Sequence, residues 1–266
     1  VDSAIGNVDI VFHLACLGVR HSIHSPFENH RVNAEGSLNV LESAVKSGVK
    51  KFLYISTSEI YGKTDSFPIM ETDTVAPITV YGSSKLAGEN YTHSYRECYG
   101  LDAYVLRIFN NYGPRAHYEG DCGEVIPRSI VKILYGSNPI IFGDGEVTRD
   151  FFYVKDTAEV LASFVKRVPV ERTLNIGLGV EHTIKELLEK IICLMPEYDA
   201  LLEFAEARPA DVPRLWVDNS KFASMGILSE YMDFDQGLKE TIEFYKELSG
   251  HKNLMDEVVE KNWLSI

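Results

Sequence analysis

The chain has 266 residues, of which 45% are hydrophobic and 11% aromatic, and this composition excludes a disordered or fibrous protein. Its formal net charge of -13 repels nucleic-acid phosphates and anionic lipid, so we expect no nucleic-acid and no membrane partner. The four cysteines form no CxxC pair and no apolar run has transmembrane length, which favours reduced thiols and a cytoplasmic location.

The apolar pattern predicts an α/β protein. Short apolar runs alternate with longer amphipathic stretches, as in βα units that build a parallel sheet. The runs are continuous, which indicates a sheet that is covered on both faces. We expect strands over residues 8–15, 51–56, 102–109 and 173–176, and helices over residues 26–47, 80–99 and 156–168.

The character of the chain changes after Pro114. Glycines divide the next stretch into short pieces, and two further helices are expected over residues 184–194 and 234–248. The tail from His251 is predicted to be helical as well. These elements indicate a smaller C-terminal lobe that is interleaved with the last strand of the sheet.

A tyrosine and a lysine four residues apart carry the strongest chemical signal. Tyr81 and Lys85 share one face of the helix predicted over 80–99, and Thr57 ends the strand before it. A phenol is a poor base at neutral pH, since its pKa in water is about 10, but a neighbouring ammonium favours the phenolate. Tyr81 can then take a hydroxyl proton that Thr57 orients, while the carbon-bound hydrogen leaves as hydride.

The alternative interpretation of this pair is an ordinary solvated helix face, which is the commoner origin of such short motifs. The strand-borne Thr57 and the order of the elements favour catalysis. Two histidines close to the first strand, His21 and His24, have no third ligand placed around them. We therefore expect no metal site.

Eight ordered segments resemble the extended short-chain dehydrogenase/reductases of the NAD-dependent nucleotide-sugar epimerase/dehydratase type. The resemblance extends along essentially the whole chain, and eight matches in order are far more specific than one. The segments are Phe-His-Leu-Ala at 12–15, Asn-Ala-Glu-Gly-Ser at 33–37, Ser-Thr-Ser-Glu-Ile-Tyr-Gly at 56–62, Tyr-Gly-Ser-Ser-Lys at 81–85, Arg-Ile-Phe-Asn-Asn-Tyr-Gly-Pro-Arg at 107–115, Phe-Gly-Asp-Gly-Glu-Val-Thr-Arg-Asp-Phe at 142–151, Tyr-Val-Lys-Asp at 153–156, and Arg-Pro-Ala-Asp-Val-Pro-Arg at 208–214.

The resemblance implies a Rossmann-like NAD-binding domain over residues 1–114 and 150–177, and a nucleotide-sugar-binding lobe over 115–149 and 178–266. It implies catalytic roles for Thr57, Tyr81, Lys85 and Glu59. The residues that it implies for NAD are His13, Leu14, Ala15, Asn33, Ser56, Tyr81 and Lys85. The residues that it implies for the sugar nucleotide are Arg20, Asn110, Arg149, Arg208 and Asp211. Arginine suits a pyrophosphate because its planar fork of donors matches the phosphate oxygens.

The family's glycine-rich dinucleotide turn is not found before His13. We therefore expect the chain to be truncated at its N-terminus, without the first strands of the sheet and the pyrophosphate turn. Cofactor affinity is then expected to be impaired, and the fragment alone is expected to be inactive. The resemblance also implies a homodimer, in which helices 26–47 and 80–99 pair with their copies.

Two residues after Thr57 bear on the reaction. Dehydratases of the family have Asp then Glu there, whereas this chain has Ser58 and Glu59. Dehydration is therefore disfavoured, and we expect a UDP-glucose 4-epimerase-like enzyme that oxidises the sugar transiently at C4. The alternatives are a UDP-glucuronate-type decarboxylase or a 4,6-dehydratase, and a non-catalytic NAD-binding sensor. A simple ketone reductase would not need Arg149 and Arg208 around one anion.

Overall fold

The computed structural model describes residues 1–167 and 169–264. Its strands are, in chain order, β1 (Ile10–His13), β2 (Lys51–Thr57), β3 (Ala103–Ile108), β4 (Asn110–Tyr112), β5 (Ile140–Phe142), β6 (Thr148–Arg149), β7 (Phe151–Tyr153), β8 (Thr173–Ile176), β9 (His182–Thr183), β10 (Glu203–Ala205) and β11 (Arg214–Leu215). Its α-helices are α1 (Asp2–Ile5), α2 (Val19–His24), α3 (Pro26–His30), α4 (Gly36–Lys46), α5 (Val80–Tyr99), α6 (Val125–Leu134), α7 (Val154–Ser163), α8 (Ile184–Leu194), α9 (Ser220–Ser224) and α10 (Phe234–Ser249).

Four parallel strands form the central sheet in the order β1-β2-β3-β8. Leu53 lies between Phe12 of β1 and Tyr104 of β3 in the register. All of β3 and nearly all of β2 are buried, because side chains pack on both faces. The predicted parallel α/β sheet is confirmed.

Each face of the sheet has its own core, since successive strand residues point to opposite sides. On one face, Phe52 and Tyr54 pack with Leu41 of α4 and Tyr95 of α5. On the other face, residues from β2, β3, β8 and α7 pack together: Leu53, Tyr104, Leu106, Val160, Phe164 and Leu174. This two-sided burial explains the continuous apolar runs of the strands.

The predicted bounds of α5 and β8 are confirmed at both ends. Helix α5 ends because Gly100 adopts a left-handed conformation, with φ of 70°, and its N–H bonds the Arg96 carbonyl. Strand β1 is shorter than the predicted range of 8–15. Residues 14–16 leave the sheet and are exposed at its carboxyl edge.

The helix predicted over 26–47 is confirmed as a continuous helical segment over 26–46, but it contains a π-helical turn that was not predicted. The chain forms α3, then a π-helical turn at Arg31–Glu35, then α4. An unpredicted helix, α2, precedes them and ends at Ser25. Pro26 has no N–H with which to continue α2, but it suits the first turn of a new helix.

Two other predicted helices end differently. Helix α7 begins at Val154 and ends at Ser163, and its predicted end, Val168, lies outside the described residues. The helix predicted from His251 is also wrong. Within residues 251–264 only a 3-10 turn forms, at Met255–Glu257. Arg128 of the lobe donates to the Val259 and Glu260 carbonyls of the tail, and these bonds take the place of helical hydrogen bonds.

A second core lies beyond the sheet and is built around α6, α8 and α10. Short strand pairs border it: β4 with β7, β5 with β10, and β6 with both β9 and β11. The predicted helix over 184–194 is confirmed, and the helix over 234–248 extends one residue further. Tyr112 and Phe151 belong to this core, and the domain division at residues 114 and 150 stays a prediction.

The cysteines Cys16, Cys98, Cys122 and Cys193 are free thiols. No helix within residues 1–167 and 169–264 is both long enough and apolar enough to cross a membrane.

Candidate active site

Strand β2 delivers Thr57 and Glu59 to the carboxyl edge of the sheet. The Thr57 hydroxyl accepts a hydrogen bond from the Glu59 N–H at 3.2 Å, and this bond begins a 3-10 turn at Ser58–Tyr61. Thr57 is buried, whereas Glu59 is partly accessible. A short polar cap at the end of a buried strand therefore fixes both side chains.

Helix α5 begins directly on this turn. The Thr79 hydroxyl caps the helix by accepting from the Gly82 N–H at 3.0 Å. A side chain at Gly82 would lie 2.9 Å from the Glu59 carbonyl oxygen, so glycine lets the helix approach the turn. Tyr81, one residue before, lies close enough to Thr57 for the threonine side chain to lower the pKa of its phenol. The structure thus joins the two halves of the predicted catalytic group.

Lys85 follows Tyr81 by one helical turn and has only 3% of its surface exposed. Its Nζ donates to the Ile55 carbonyl at 2.5 Å and lies 4.5 Å from the centre of the Tyr54 ring. The Tyr54 hydroxyl donates to the Lys85 carbonyl at 3.1 Å. Burial lowers the pKa of Lys85, while Cys16 and Glu89 act in the opposite direction.

The pKa of Tyr81 differs from the expectation. Burial raises it well above its usual value, Cys16 raises it further, and the hydrogen bond with Thr57 opposes them. The Lys85 ammonium is directed to the Ile55 carbonyl and the Tyr54 ring. Burial thus disfavours the phenolate of Tyr81, in contrast to the expectation.

The predicted cofactor residues lie next to this group. His13 ends β1, its Nε2 is 2.9 Å from the Ser37 hydroxyl, and burial followed by the charge of Lys85 lowers its pKa to about 4. Leu14 and Ala15 are exposed at the carboxyl edge of the sheet. The Ser56 hydroxyl is buried and has no protein partner. An open apolar segment beside an unpaired hydroxyl fits a nicotinamide nucleoside.

Asn33 is turned into the protein, with 1% of its surface exposed. Its amide accepts from the Leu17 N–H at 2.8 Å and donates to the Leu17 carbonyl at 2.9 Å. It also bonds Asn29 and Ser84. Asn33 therefore shapes the loop after β1, and the prediction of direct cofactor contact stays a prediction.

Arg149 and Asp211 form an ion pair on the substrate side. Arg149 Nη2 donates to the Asp211 carboxylate at 2.8 Å, and Nη1 donates to the Thr148 and Val212 carbonyls. The pair faces Glu59, whose pKa is raised by burial; Arg149 opposes this shift and Asp211 reinforces it. Arg149 is thus largely saturated by protein groups, which sequence reasoning did not foresee.

Arg20 and Arg208 differ from Arg149, because neither has a carboxylate partner within the described residues. The Nε atoms of both are buried and unpaired. Burial lowers the pKa of both, that of Arg208 to about 9, and the charge of Arg20 lowers the pKa of Arg208 further. The buried Asn110 Oδ1 is unpaired as well. Carboxylates oppose these shifts, Glu124, Asp211 and Glu59 for Arg20 and Asp211 for Arg208. Buried guanidinium groups with unpaired Nε atoms suit an anionic ligand.

Sequence reasoning missed several residues of this region. Arg20 was predicted from the resemblance, but the helix that carries it, α2, was not. The missed residues are Tyr54, whose hydroxyl bonds the Lys85 carbonyl, and Gly88, which leaves room for the Tyr54 ring. Only its position in the strand, two residues before Ser56, pointed to Tyr54 in the sequence. Within residues 1–167 and 169–264, no three His, Cys, Asp or Glu side chains are grouped to hold a metal ion.

Comparison with known proteins identifies the family of the chain. The NAD dependent epimerase/dehydratase family matches residues 1–177. A UDP-glucuronate 4-epimerase of Thermodesulfobacterium geofontis is 34% identical over 91% of this chain and 73% of its own. A UDP-N-acetyl-alpha-D-glucosaminuronate decarboxylase of Bacillus cytotoxicus is 33% identical over 90% and 77%. The crystal structure of a Thermotoga maritima UDP-glucose 4-epimerase with UDP-glucose is 32% identical, with a TM-score of 0.86 over 92% of this chain and 79% of that one.

Proposed function

The chain belongs to the NAD dependent epimerase/dehydratase family, and from that premise we propose that it is a nucleotide-sugar 4-epimerase. The observation that carries the proposal is the juxtaposition of two features. Tyr81 and Thr57 lie together at the edge of the sheet, and the charge of Arg20 acts on Glu59 beside them. Arg208 lies within the influence of Arg20 and Asp211, and the Nε atoms of both arginines are buried and unpaired. A sugar held by its diphosphate suits this arrangement.

The protein residues divide the first step between them. Tyr81 accepts the proton of the sugar 4-hydroxyl, and the Thr57 hydroxyl orients that oxygen. Lys85 is held in place one helical turn after Tyr81 by its bond to the Ile55 carbonyl. NAD would be held by His13, Leu14, Ala15 and Ser56, and it would supply a reversible hydride acceptor for C4. The second transfer needs the sugar to present its other face, after which Tyr81 returns the proton.

The substrate side supplies the binding energy in this proposal. Arg20 and Arg208 neutralise the diphosphate, and the ion pair of Arg149 with Asp211 holds the wall next to Glu59. The unpaired Asn110 Oδ1 accepts from a sugar or ribose hydroxyl. His13, Leu14, Ala15 and Ser56 contact NAD, and Asn33 keeps the loop after β1 in place.

The second candidate is decarboxylation or dehydration after the same oxidation. The raised pKa of Glu59 favours it, because a protonated carboxyl beside the sugar can donate as an acid. Ser58 argues against dehydration, since it is buried and is not an acid. We therefore rank epimerisation first.

The test uses the full-length protein with NAD and a panel of UDP- and dTDP-linked sugars carrying deuterium at C4. A 4-epimerase gives a product of unchanged mass with deuterium still on C4. A product lighter by carbon dioxide or by water supports the second candidate, and no conversion of any sugar contradicts both. Tyr81→Phe should abolish conversion, whereas Tyr99→Phe, an exposed tyrosine at the end of the same helix, should not.

We also propose a homodimer through α3, α4 and α5. Apolar side chains on these helices are exposed, with Phe27 at 90%, Leu38 at 37% and Val80 at 38%. Light scattering should give twice the chain mass, and Phe27→Asp should lower it. A monomeric wild-type protein would contradict this proposal.

A further inference from the structure

The last described residues of the chain lie over the substrate side of the site. Arg128 of α6 donates from Nη2 to the Val259 and Glu260 carbonyls, at 2.7 and 2.8 Å. The buried Asn262 donates to the Gly123 carbonyl at 3.0 Å. A side chain at Gly123 would lie 2.6 Å from Arg128 Cδ, so the glycine makes room for this contact. The tail is therefore bound through its backbone to a defined place.

Trp263 takes a specific position at the end of this tail. It is 8% exposed and meets Phe142 edge to face, with the ring centres 4.9 Å apart. The guanidinium carbon of Arg208 lies 4.6 Å from the centre of the Phe142 ring and 5.6 Å from that of Trp263. Two aromatic rings thus hold Arg208, while its buried Nε has no partner.

The charge around this position is unbalanced. Arg128 also has a buried Nε without a partner, and burial followed by the charge of Arg20 lowers its pKa to about 10. The nearby Glu260 carboxylate is 3.9 Å from Lys132 and mostly exposed. Aromatic faces attract a guanidinium without occupying its N–H groups, so the donors of Arg208 stay available for an anion.

We infer that the C-terminal tail completes the nucleotide diphosphate site: Trp263, with Phe142, positions Arg208 toward the diphosphate, and Arg128 anchors the tail that carries Trp263. The inference rests on the proposed nucleotide-sugar function and adds a segment outside the residues that the family resemblance identified. Trp263 is a positioning residue, since it acts through Arg208. Loss of its ring lets Arg208 turn away from the diphosphate and lowers affinity for it.

The experiment measures UDP binding by calorimetry with the full chain. Trp263→Leu should raise the dissociation constant for UDP about tenfold, which corresponds to about 1.4 kcal/mol. Trp263→Phe, which keeps an aromatic face, should recover most of the affinity. Leu264→Ala is the matched control, because Leu264 is the next residue of the tail and is 52% exposed. It should bind UDP as the wild type does.

A second measurement uses tryptophan fluorescence and leaves the sequence of the tail unchanged. The chain has two tryptophans, so Trp216→Phe leaves Trp263 as the only one. UDP should change the Trp263 emission in a saturable manner, and uridine, which lacks the diphosphate, should change it much less. UDP binding with an unchanged Trp263 signal and an unaffected Trp263→Leu variant would overturn the inference and leave the proposed function standing. Failure of the wild type to bind any UDP- or dTDP-nucleotide would overturn both.

Discussion

Arg107 and Glu89 form a buried ion pair that joins β3 to α5, one helical turn beyond Lys85. Arg107 Nη2 donates to Glu89 at 2.8 Å, and Nε lies 3.1 and 3.2 Å from the two carboxylate oxygens. Nη1 donates to the Tyr61 hydroxyl and the Glu71 carbonyl, at 2.8 and 3.2 Å. The side chains are 8% and 1% exposed. The pair therefore links the catalytic helix to the turn that carries Glu59.

Arg107→Met should destabilise the protein by about 3–5 kcal/mol, because it leaves the Glu89 carboxylate buried without a counter-ion. The double variant Arg107→Met with Glu89→Leu should cost less than Arg107→Met alone, since no buried charge remains. The coupling energy from the double-mutant cycle should then be about 2 kcal/mol or more. Tyr61 keeps a partner in every variant, because its hydroxyl donates to Asn175 at 2.7 Å.

Urea denaturation followed by circular dichroism measures these free energies of unfolding. Arg96→Met is the control, since Arg96 pairs with Glu97 on the same helix and that carboxylate is 69% exposed. It should change stability by about 1 kcal/mol or less. The reasoning fails if Arg107→Met costs no more than Arg96→Met, or if the double variant costs the sum of its two single changes.

Three more predictions concern other contacts. His13 has a folded pKa of about 4 against 6.5; a depressed pKa gives stability that is present above 6.5 and lost as pH falls toward 4. His13→Asn should therefore remove about 3 kcal/mol of the stability difference between pH 7 and pH 4, and an unchanged pH profile of unfolding would contradict this. Gly88→Ala should lower the free energy of unfolding by about 1–3 kcal/mol, because its methyl would lie 2.2 Å from the Tyr54 hydroxyl oxygen. Gly36→Ala is the control: its methyl would lie 3.7 Å from the nearest atom, so thermal unfolding should show no loss of stability. Thr183→Ala should lower stability by about 1 kcal/mol through the lost capping box of α8, and Ser there should restore it.

The elements that the sequence predicted well are those with a strong local signal. Helix α5 has a threonine cap at Thr79 and a glycine stop at Gly100, so a residue adjacent to each end specifies where the helix begins and ends. The π-helical turn at Arg31–Glu35 inside the helix over 26–46 was missed, because no local signal announces it. The helix predicted from His251 was wrong because Arg128, far away in sequence, binds the carbonyls of this tail.

The candidate site shows the same division. Tyr81, Lys85 and Thr57 could be proposed from spacing and resemblance, because the spacing of four on a helix and the end of a strand are local facts. The sequence could not indicate which of the predicted arginines would pair with a carboxylate. Arg149 and Arg208 both come from segments with the same resemblance, yet the fold pairs Arg149 with Asp211 and gives Arg208 two aromatic rings.

By itself, the sequence determined the parallel α/β sheet and its main helices, and it indicated the proposed proton-handling residues, since periodicity and short motifs encode these locally. Tertiary structure alone decided the environment of each group. Burial depends on all the elements packed around a residue, so the raised pKa of Tyr81 and the bonding of Lys85 to the Ile55 carbonyl follow only from the folded chain. The position of Trp263 over Arg208 likewise joins residues that are distant in sequence, and no local pattern specifies it.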